Sequence, residues 1–258
     1  MPRFSANISM LFTEVEMPER FDAAARAGFK GVEIQFPYAW DKDLLAERAC
    51  SAGVEVVLFN LPAGDFDKGD RGMACLPARM SEFRDGVARA RGYARALGCR
   101  RLNCLAGLAP RLGERLVRET FLSNLRYAAG ELAADGSTLM MEALNTRSVP
   151  GFYLRNSGQA LALINESGVP NLKLQFDVFH MQIMEGDLAA TIAANIGAIG
   201  HFQIADVPER HEPGTGEINF PFLFSLIDKL GYEGWIGAEY VPSANTADSL
   251  GWLQPYRG

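Results

Sequence analysis

The stretch Ser-Gly-Val-Pro-Asn-Leu-Lys-Leu-Gln-Phe-Asp (167–177) contains the pattern that decides the fold. A glycine follows an amphipathic helical stretch, a short apolar run comes next, and the run closes on a carboxylate. Glycine readily adopts the left-handed conformation that ends many helices, and a short apolar run after such a turn is typical of a buried strand. This stretch therefore predicts a helix, a tight turn and a strand, in that order.

The same pattern is repeated along the whole chain. Strands are predicted at roughly 3–9, 31–36, 54–60, 100–105, 137–142, 172–178, 199–205 and 235–240. Helices are predicted at roughly 18–27, 41–52, 78–97, 113–135, 157–167, 187–197, 220–230 and 246–254. Strict alternation of strands and helices favours a parallel sheet covered by helices.

The number of repeats indicates how this sheet closes. Eight strand–helix units in 258 residues match one (β/α)8 TIM barrel, which takes about 250 residues. The segment after the first predicted strand contains no glycine, unlike the phosphate-binding turn of a dinucleotide-binding fold. We therefore predict an α/β protein with a single TIM-barrel domain over residues 1–258 and no nucleotide cofactor.

Composition and charge narrow the function classes. The net charge is −6, which disfavours a nucleic-acid binder, since such proteins usually carry a basic face. The beginning of the chain lacks a signal-peptide pattern, and no apolar run is long enough to span a membrane. The four cysteines form no CxxC pair. We expect a cytoplasmic protein that binds neither nucleic acid nor membrane; assembly into a homo-oligomer is left open.

Polar residues close several of the predicted strands. Strands five to eight end in Glu142, Asp177, Gln203 and Glu239. A single carboxylate in such a place is usually a helix cap or an ion-pair member. Four oxygen-bearing side chains at consecutive strand ends converge on the carboxyl face of a barrel, where active sites lie. Because carboxylates brought together repel one another, this pattern predicts a divalent-cation site, with Mg²⁺ or Mn²⁺ favoured by oxygen ligands.

Three further residues are candidates for binding a substrate. His180 follows Asp177 by three residues. Arg71 and Arg210 lie on the two longest predicted loops, 61–77 and 206–219, which should overhang the barrel mouth. An arginine in this place suits an anionic substrate. Glu33 and His201 also close or open predicted strands, and their roles are left open.

Motifs spread along the chain resemble the hydroxypyruvate isomerases. The stretches that carry the resemblance are Phe-Ser-Ala-Asn-Ile-Ser-Met-Leu-Phe (4–12), Asn-Leu-Pro-Ala-Gly-Asp (60–65), Arg-Asp-Gly-Val (84–87), Tyr-Ala-Arg-Ala-Leu-Gly (93–98), Ser-Asn-Leu-Arg-Tyr-Ala-Ala (123–129), Phe-Asp-Val-Phe-His-Met-Gln (176–182), Gln-Ile-Ala-Asp (203–206), Glu-Pro-Gly-Thr-Gly-Glu-Ile-Asn (212–219) and Pro-Tyr-Arg-Gly (255–258). The wider relatives are xylose-isomerase-like barrels, which include ketose 3-epimerases and the endonuclease IV type of DNA-repair enzyme.

The resemblance implies an isomerase that interconverts hydroxypyruvate and tartronate semialdehyde through a cis-enediol. It implies an acid/base pair at Glu142 and Glu239, and substrate contacts at His180 and Arg210. The metal set that it implies is Glu142, Asp177, Gln203 and Glu239. Because the epimerases carry histidine where this chain has Gln203, the need for a metal and its identity are left open.

Other functions fit the sequence less well. The nearest is the same chemistry on a longer acid, as in a 2-oxo-tetronate isomerase, followed by a ketose 3-epimerase. A DNA-repair endonuclease would need more histidines for a zinc cluster than the three present. Outside catalysis, the chain could be a sugar-acid binding protein on a barrel scaffold.

Overall fold

Eight parallel strands form a closed barrel in the computed structural model, which describes residues 1–256. Each strand pairs with its neighbours in chain order, and the last pairs with the first. The strands are β1 (Arg3–Asn7), β2 (Gly31–Ile34), β3 (Glu55–Asn60), β4 (Arg101–Cys104), β5 (Thr138–Glu142), β6 (Leu172–Asp177), β7 (Ile199–Ile204) and β8 (Trp235–Ala238). The predicted TIM barrel is confirmed; the last two residues of the 255–258 motif lie outside the described residues.

Helices surround the barrel between the strands. They are α1 (Arg20–Arg26), α2 (Lys42–Ala52), α3 (Met80–Leu97), α4 (Glu114–Ala133), α5 (Ser157–Ser167), α6 (Val178–Met184), α7 (Leu188–Asn195) and α8 (Phe220–Lys229). Helix α2 ends at Gly53, which has a φ of 67°, and α5 ends at Gly168, with a φ of 68°. The left-handed glycine caps inferred from the sequence are therefore present at these helix ends. Among the helices of residues 1–256, none has the length and apolar character needed to cross a membrane.

Two helices differ from the sequence prediction. Helix α6 follows β6 without a loop, because the Asp177 carboxylate caps it by accepting a hydrogen bond from the backbone N–H of Phe179 at 2.8 Å. The predicted last helix, 246–254, is a 3-10 helix over Asp248–Tyr256. Gly251 and Pro255 lie within it, and both residue types disfavour an α-helix.

The register of the last strands brings the polar strand ends together. Asp177 on β6 pairs with Gln203 on β7, and Gln203 pairs with Gly237 on β8. Glu142 on β5 pairs with Gln175 on β6, one layer deeper. Because all strands run in the same direction, their carboxyl ends open onto one face of the barrel.

Candidate active site

A cavity of about 210 Å³ lies at the carboxyl face of the barrel. Five of the seven predicted site residues line it: Glu142, Glu239, His180, Arg210 and Arg71. The other two, Asp177 and Gln203, are buried beside it at 1% and 2% exposure. A larger cavity of about 570 Å³ lies at the opposite face, near Arg3 and Trp235, but none of its lining residues within 1–256 carries a carboxylate side chain. The predicted acid, base and substrate-binding side chains therefore lie around the smaller cavity.

Glu239 follows β8 and receives hydrogen bonds on both carboxylate oxygens. Oε1 accepts from the amides of Asn7 at 2.8 Å and Gln35 at 3.0 Å, while Oε2 accepts from Arg210 at 2.7 Å. Burial raises the pKa of Glu239 to about 7, because it outweighs the opposing effect of the Arg210 charge. This carboxyl group is therefore held in place and titrates near neutrality.

Glu142 ends β5 and is held more loosely. The amide of Asn103 donates to its Oε2 at 2.9 Å and also to Asn60 Oδ1 at 3.1 Å. Burial, together with the negative charges of Glu239 and Asp177, raises the pKa of Glu142 well above its ordinary value. Glu142 has one hydrogen-bond donor where Glu239 has three, so its ionised form is stabilised by fewer hydrogen bonds.

Arg210 is the cation among these carboxylates. Its Nη2 lies 2.7 Å from Glu239 Oε2 and 3.7 Å from Asp177 Oδ2. Burial opposes its charge, but Glu239, Asp177 and Glu142 outweigh burial and raise the pKa of Arg210 above its ordinary value. Its guanidinium also stacks over the Phe179 ring at 5.2 Å. Arg210 therefore partly neutralises the carboxylate cluster.

Asp177 has one satisfied and one unsatisfied oxygen. Its Oδ1 accepts the capping hydrogen bond from α6, whereas its buried Oδ2 has no hydrogen-bond partner among residues 1–256. Burial raises the pKa of Asp177, and the Arg210 charge opposes this rise. Since buried carboxylate oxygens are almost always paired, Oδ2 is placed to take a ligand.

His180 lies on α6 in a single, determined tautomer. Its Nδ1 accepts hydrogen bonds from the backbone N–H of Asn145 at 3.1 Å and from the Asn145 side-chain amide at 2.7 Å. Burial, together with the Arg210 charge, lowers the pKa of His180 well below its ordinary value, so the ring is neutral. The ring proton therefore lies on Nε2, 3.6 Å from Asp177 Oδ2.

Arg71 lies on the wall of the cavity. Its guanidinium stacks over the Phe66 ring at 3.8 Å, and Phe66 packs on Phe36 with ring centroids 5.3 Å apart. Its Nη1 donates to the backbone carbonyls of Phe66 at 3.0 Å and Asp70 at 2.7 Å. Within residues 1–256 no carboxylate forms an ion pair with Arg71, so its charge is free to meet an anion.

Gln203 is bound on both sides of its amide. Its Nε2 donates to Glu33 Oε2 at 2.8 Å, and its Oε1 accepts from Gln175 at 2.6 Å. Glu33 also accepts from Ser5 at 2.8 Å and from His201 at 2.7 Å, so it lies in a buried polar layer beneath the cavity. The Gln203 oxygen is therefore already hydrogen-bonded, unlike Asp177 Oδ2.

Four amide residues at or near strand ends support the site, and the sequence analysis assigned them no role. The structure shows that Asn7, Gln35 and Asn103 hold the two glutamates, and that Asn145 fixes the His180 ring. Their only local signal is an amide at the end of an apolar run. The hydrogen-bond partner of each amide is set by how the closed barrel brings distant parts of the chain together.

The sequence matches a known protein family and several known proteins. The model for xylose isomerase-like TIM barrels matches residues 21–256. The chain belongs to this family. Within the xylose isomerase-like TIM barrels, it is 49% identical to the hydroxypyruvate isomerase of Escherichia coli (strain K12) over 100% of both chains. It is 48% identical to a 2-oxo-tetronate isomerase of Cupriavidus necator, again over 100% of both.

Solved structures of the family agree. A protein of Brucella melitensis described as an AP endonuclease of family 2 is 47% identical, with a TM-score of 0.98 over 100% of both chains. An L-ribulose 3-epimerase is 27% identical, with a TM-score of 0.74 over 99% of this chain and 86% of the other. The resemblance to the hydroxypyruvate isomerases expected from the sequence is confirmed by the full-length match to the curated enzyme.

Proposed function

We propose that this protein interconverts hydroxypyruvate and tartronate semialdehyde through a cis-enediol. The observation that carries the proposal is the pair Glu142 and Glu239, two carboxyl groups with raised pKa values that line one small cavity with an arginine lacking a carboxylate partner. An enediol isomerase needs a base, an acid, and donors for the developing oxyanion. Identities of 48–49% to a hydroxypyruvate isomerase and a 2-oxo-tetronate isomerase support the same chemistry.

The two glutamates are assigned different roles. Three donors, one of them cationic, stabilise the ionised form of Glu239, so Glu239 is the base that removes a proton from the hydroxymethyl carbon. Glu142 has one amide donor and two like-charged neighbours, so it holds the proton that is delivered to the former carbonyl carbon. One C–H bond breaks and one forms, and the hydroxyl proton moves between the two enediol oxygens. After product release, proton exchange with water returns Glu239 to its ionised form and Glu142 to its protonated form.

His180 supplies the hydrogen bond to the reacting oxygen. A neutral imidazole with its proton on Nε2 donates to the carbonyl oxygen as negative charge develops there. The same tautomer argues against His180 as a metal ligand, although Glu142, Asp177 and His180 lie close enough together to suggest a metal group. An N–H group has no lone pair to offer a cation.

Arg71 is assigned to the substrate carboxylate. Arg210 was an equal candidate on sequence grounds, but it is already paired with Glu239 and close to Asp177. A second anion at Arg210 would have to compete with these carboxylates. Among residues 1–256, the hydrogen-bond partners of Arg71 are backbone carbonyls alone, so its remaining N–H groups can bind an anion.

A divalent cation fits the oxygen-rich part of the site. The unpartnered Oδ2 of Asp177 is the observation that supports it. Asp177 and Glu239, with one oxygen each of Glu142 and Gln203, would hold Mg²⁺ or Mn²⁺, and Glu142 would keep its proton on its other oxygen. A bound cation would act as a Lewis acid toward the substrate oxygens. It would also offset the excess negative charge, which Arg210 alone does not balance.

Proton NMR of hydroxypyruvate in D2O tests the proposal. Wild-type protein should form tartronate semialdehyde and introduce deuterium at the hydroxymethyl carbon. Glu239→Gln should lose both activities by about 10²-fold or more, while Glu142→Gln should lose conversion to a similar extent and keep measurable exchange. Glu217→Gln, at an exposed residue, is the control. No exchange and no conversion by metal-supplemented wild-type protein would overturn the proposed function.

Metal dependence is tested in the same assay. Treatment with EDTA should reduce turnover, and Mg²⁺ or Mn²⁺ should restore it. Turnover that is unchanged after EDTA treatment, with no residual metal by elemental analysis, would show that the carboxylates work without a cation.

The second candidate is the same reaction on 2-oxo-tetronate, favoured by the relative that bears that name. Comparing kcat/KM for the two acids decides between them. A duplex containing an abasic site should be included, because one similar structure is described as an AP endonuclease. Cleavage of that duplex without isomerisation of either acid would replace the isomerase proposal. Substrate protection against heat with no turnover would indicate a sugar-acid binding protein.

A further inference from the structure

Asp206 lies just after β7 and is buried at 1% exposure, yet it has no cationic partner among residues 1–256. Its carboxylate instead accepts four backbone N–H groups of its own loop. Oδ1 accepts from Val207 at 2.9 Å and Ile218 at 3.1 Å, and Oδ2 accepts from Gly214 and Gly216, both at 2.9 Å. A single side chain therefore organises the segment 206–218.

Arg210 lies in the middle of this segment with an unusual backbone. Its φ is 60°, in the left-handed region that a residue with a side chain rarely adopts. Its N–H donates to the Asp206 carbonyl at 3.0 Å, and its own carbonyl accepts from Val241 at 2.9 Å. Because this conformation is intrinsically unfavourable, the surrounding loop must hold it.

The segment 206–218 is also packed too closely to change its backbone conformation freely. A Cβ at Gly216 would lie 1.9 Å from the Val207 carbonyl oxygen and 2.8 Å from Asp206 Oδ1. Only glycine allows the backbone at position 216 to approach the Val207 carbonyl and the Asp206 carboxylate so closely. The loop conformation and the Asp206 carboxylate therefore depend on each other.

We propose that Asp206 is a positioning residue that holds Arg210 against the carboxylates of Glu239 and Asp177. This inference rests on the proposed function, in which those carboxylates work beside the substrate. Asp206 touches no reacting atom in this scheme. It acts through the loop, which fixes the backbone of Arg210 so that Nη2 meets Glu239 at 2.7 Å.

Asparagine at this position keeps the size of the side chain but turns one acceptor oxygen into a donor. That donor would face two backbone N–H groups, so the loop would loosen and Arg210 would leave its conformation. Small misplacements of a catalytic group can cost about 10²-fold in rate. We expect Asp206→Asn to lower kcat by about this factor with little change in KM, since Arg71 still binds the substrate carboxylate.

A double-mutant cycle tests whether Asp206 acts through Arg210. If it does, Asp206→Asn should cause almost no further loss of kcat in an Arg210→Met background. A readout that needs no turnover is the coupling between Arg210→Met and Glu239→Gln in the free energy of unfolding measured with urea, which should be lost in an Asp206→Asn background. Additive losses of kcat, an Arg210–Glu239 coupling that persists in Asp206→Asn, or wild-type kcat in Asp206→Asn would overturn the proposal.

Two further variants keep the test decisive. Glu212→Gln alters a carboxylate of the same loop that binds Ser243, and it should leave kcat unchanged. If Asp206→Asn does not fold, Gly214→Ala strains the loop at a φ of 95° with open space around the new methyl group. It should lower kcat and again be non-additive with Arg210→Met. If wild-type protein isomerises neither acid, the proposed function fails, and the unfolding cycle still decides the role of Asp206.

Discussion

The raised pKa of Glu239 predicts how the free energy of unfolding depends on pH, and this prediction can be tested without measuring activity. Its ordinary value is 4.5, and burial raises it to about 7 in the folded protein. Between these values the folded state holds a proton that the unfolded state has released, so stability falls as pH rises through this window. Each tenfold change in proton affinity is worth about 1.4 kcal/mol. Ionised Glu239 therefore lowers the free energy of unfolding by about 3 kcal/mol above neutral pH.

Glutamine at position 239 resembles the protonated side chain and does not ionise. In protein stripped of metal with EDTA, we expect the free energy of unfolding of the wild type to fall by about 3 kcal/mol relative to that of Glu239→Gln between about pH 5 and about pH 8.5. The negative charge of Glu239 also raises the pKa of Glu142, so its removal acts in the same direction. Urea unfolding followed by circular dichroism measures the difference.

The control for this prediction is Glu217→Gln, at an exposed carboxylate that accepts a hydrogen bond from Gln182 at 3.0 Å. It should show no comparable gain at high pH, because an exposed ion keeps its hydration. A stability difference between the two proteins that does not change from about pH 5 to about pH 8.5 would refute the reasoning. Glu239 would then be stabilised as an anion by Arg210 more strongly than burial destabilises it.

Three other variants test individual parts of the site. Arg71→Met should raise KM for hydroxypyruvate by about 10–100-fold with a smaller effect on kcat, since a hydrogen bond to a charged group is worth about 1.5–3 kcal/mol. An unchanged KM would mean that another residue binds the substrate carboxylate. His180→Phe should lower kcat by about 10²–10³-fold, as expected for the loss of one oxyanion donor, and His180→Gln should recover part of it. Gly237→Ala should lower the melting temperature, because its Cβ would lie 1.8 Å from Glu33 Oε1 and overpacking costs about 1–3 kcal/mol; an unchanged melting temperature would mean that Glu33 can move aside.

The strands could be predicted from the sequence because their signal is local. Each observed strand lies within one of the predicted runs, and the strand-end residues Glu142 and Asp177 are the last residues of β5 and β6. Helix α6 was not predicted, since it begins directly after Asp177 without the usual turn residues. The capping hydrogen bond to Phe179 makes this short helix, and thereby places His180 in the site.

The pairing of charges could not be predicted, because it joins residues far apart in the chain. Arg210 meets Glu239 only through a loop with an unusual backbone conformation, so sequence reasoning could not separate it from Arg71 as the substrate-binding cation. Glu33 and His201 lie 168 positions apart and are joined at 2.7 Å by closure of the barrel. A local pattern gives no indication of such a contact.

Hydrogen-bond satisfaction distinguishes two buried acids outside the site, Glu33 and Asp206, from two within it, Asp177 and Glu142. Glu33 and Asp206 are each 1% exposed and have several donors on their carboxylates, so their charges are compensated within the fold. Asp177 is equally buried but keeps an oxygen without a partner, and Glu142 has a single amide donor beside two like charges. Burial alone would give all four residues the same role. Glu142 lines the cavity and Asp177 lies beside it, so a substrate or a cation in the cavity can supply the hydrogen bonds or ion pairs that these two carboxyl groups lack. Their missing partners are the strongest physical sign that this end of the barrel binds a ligand.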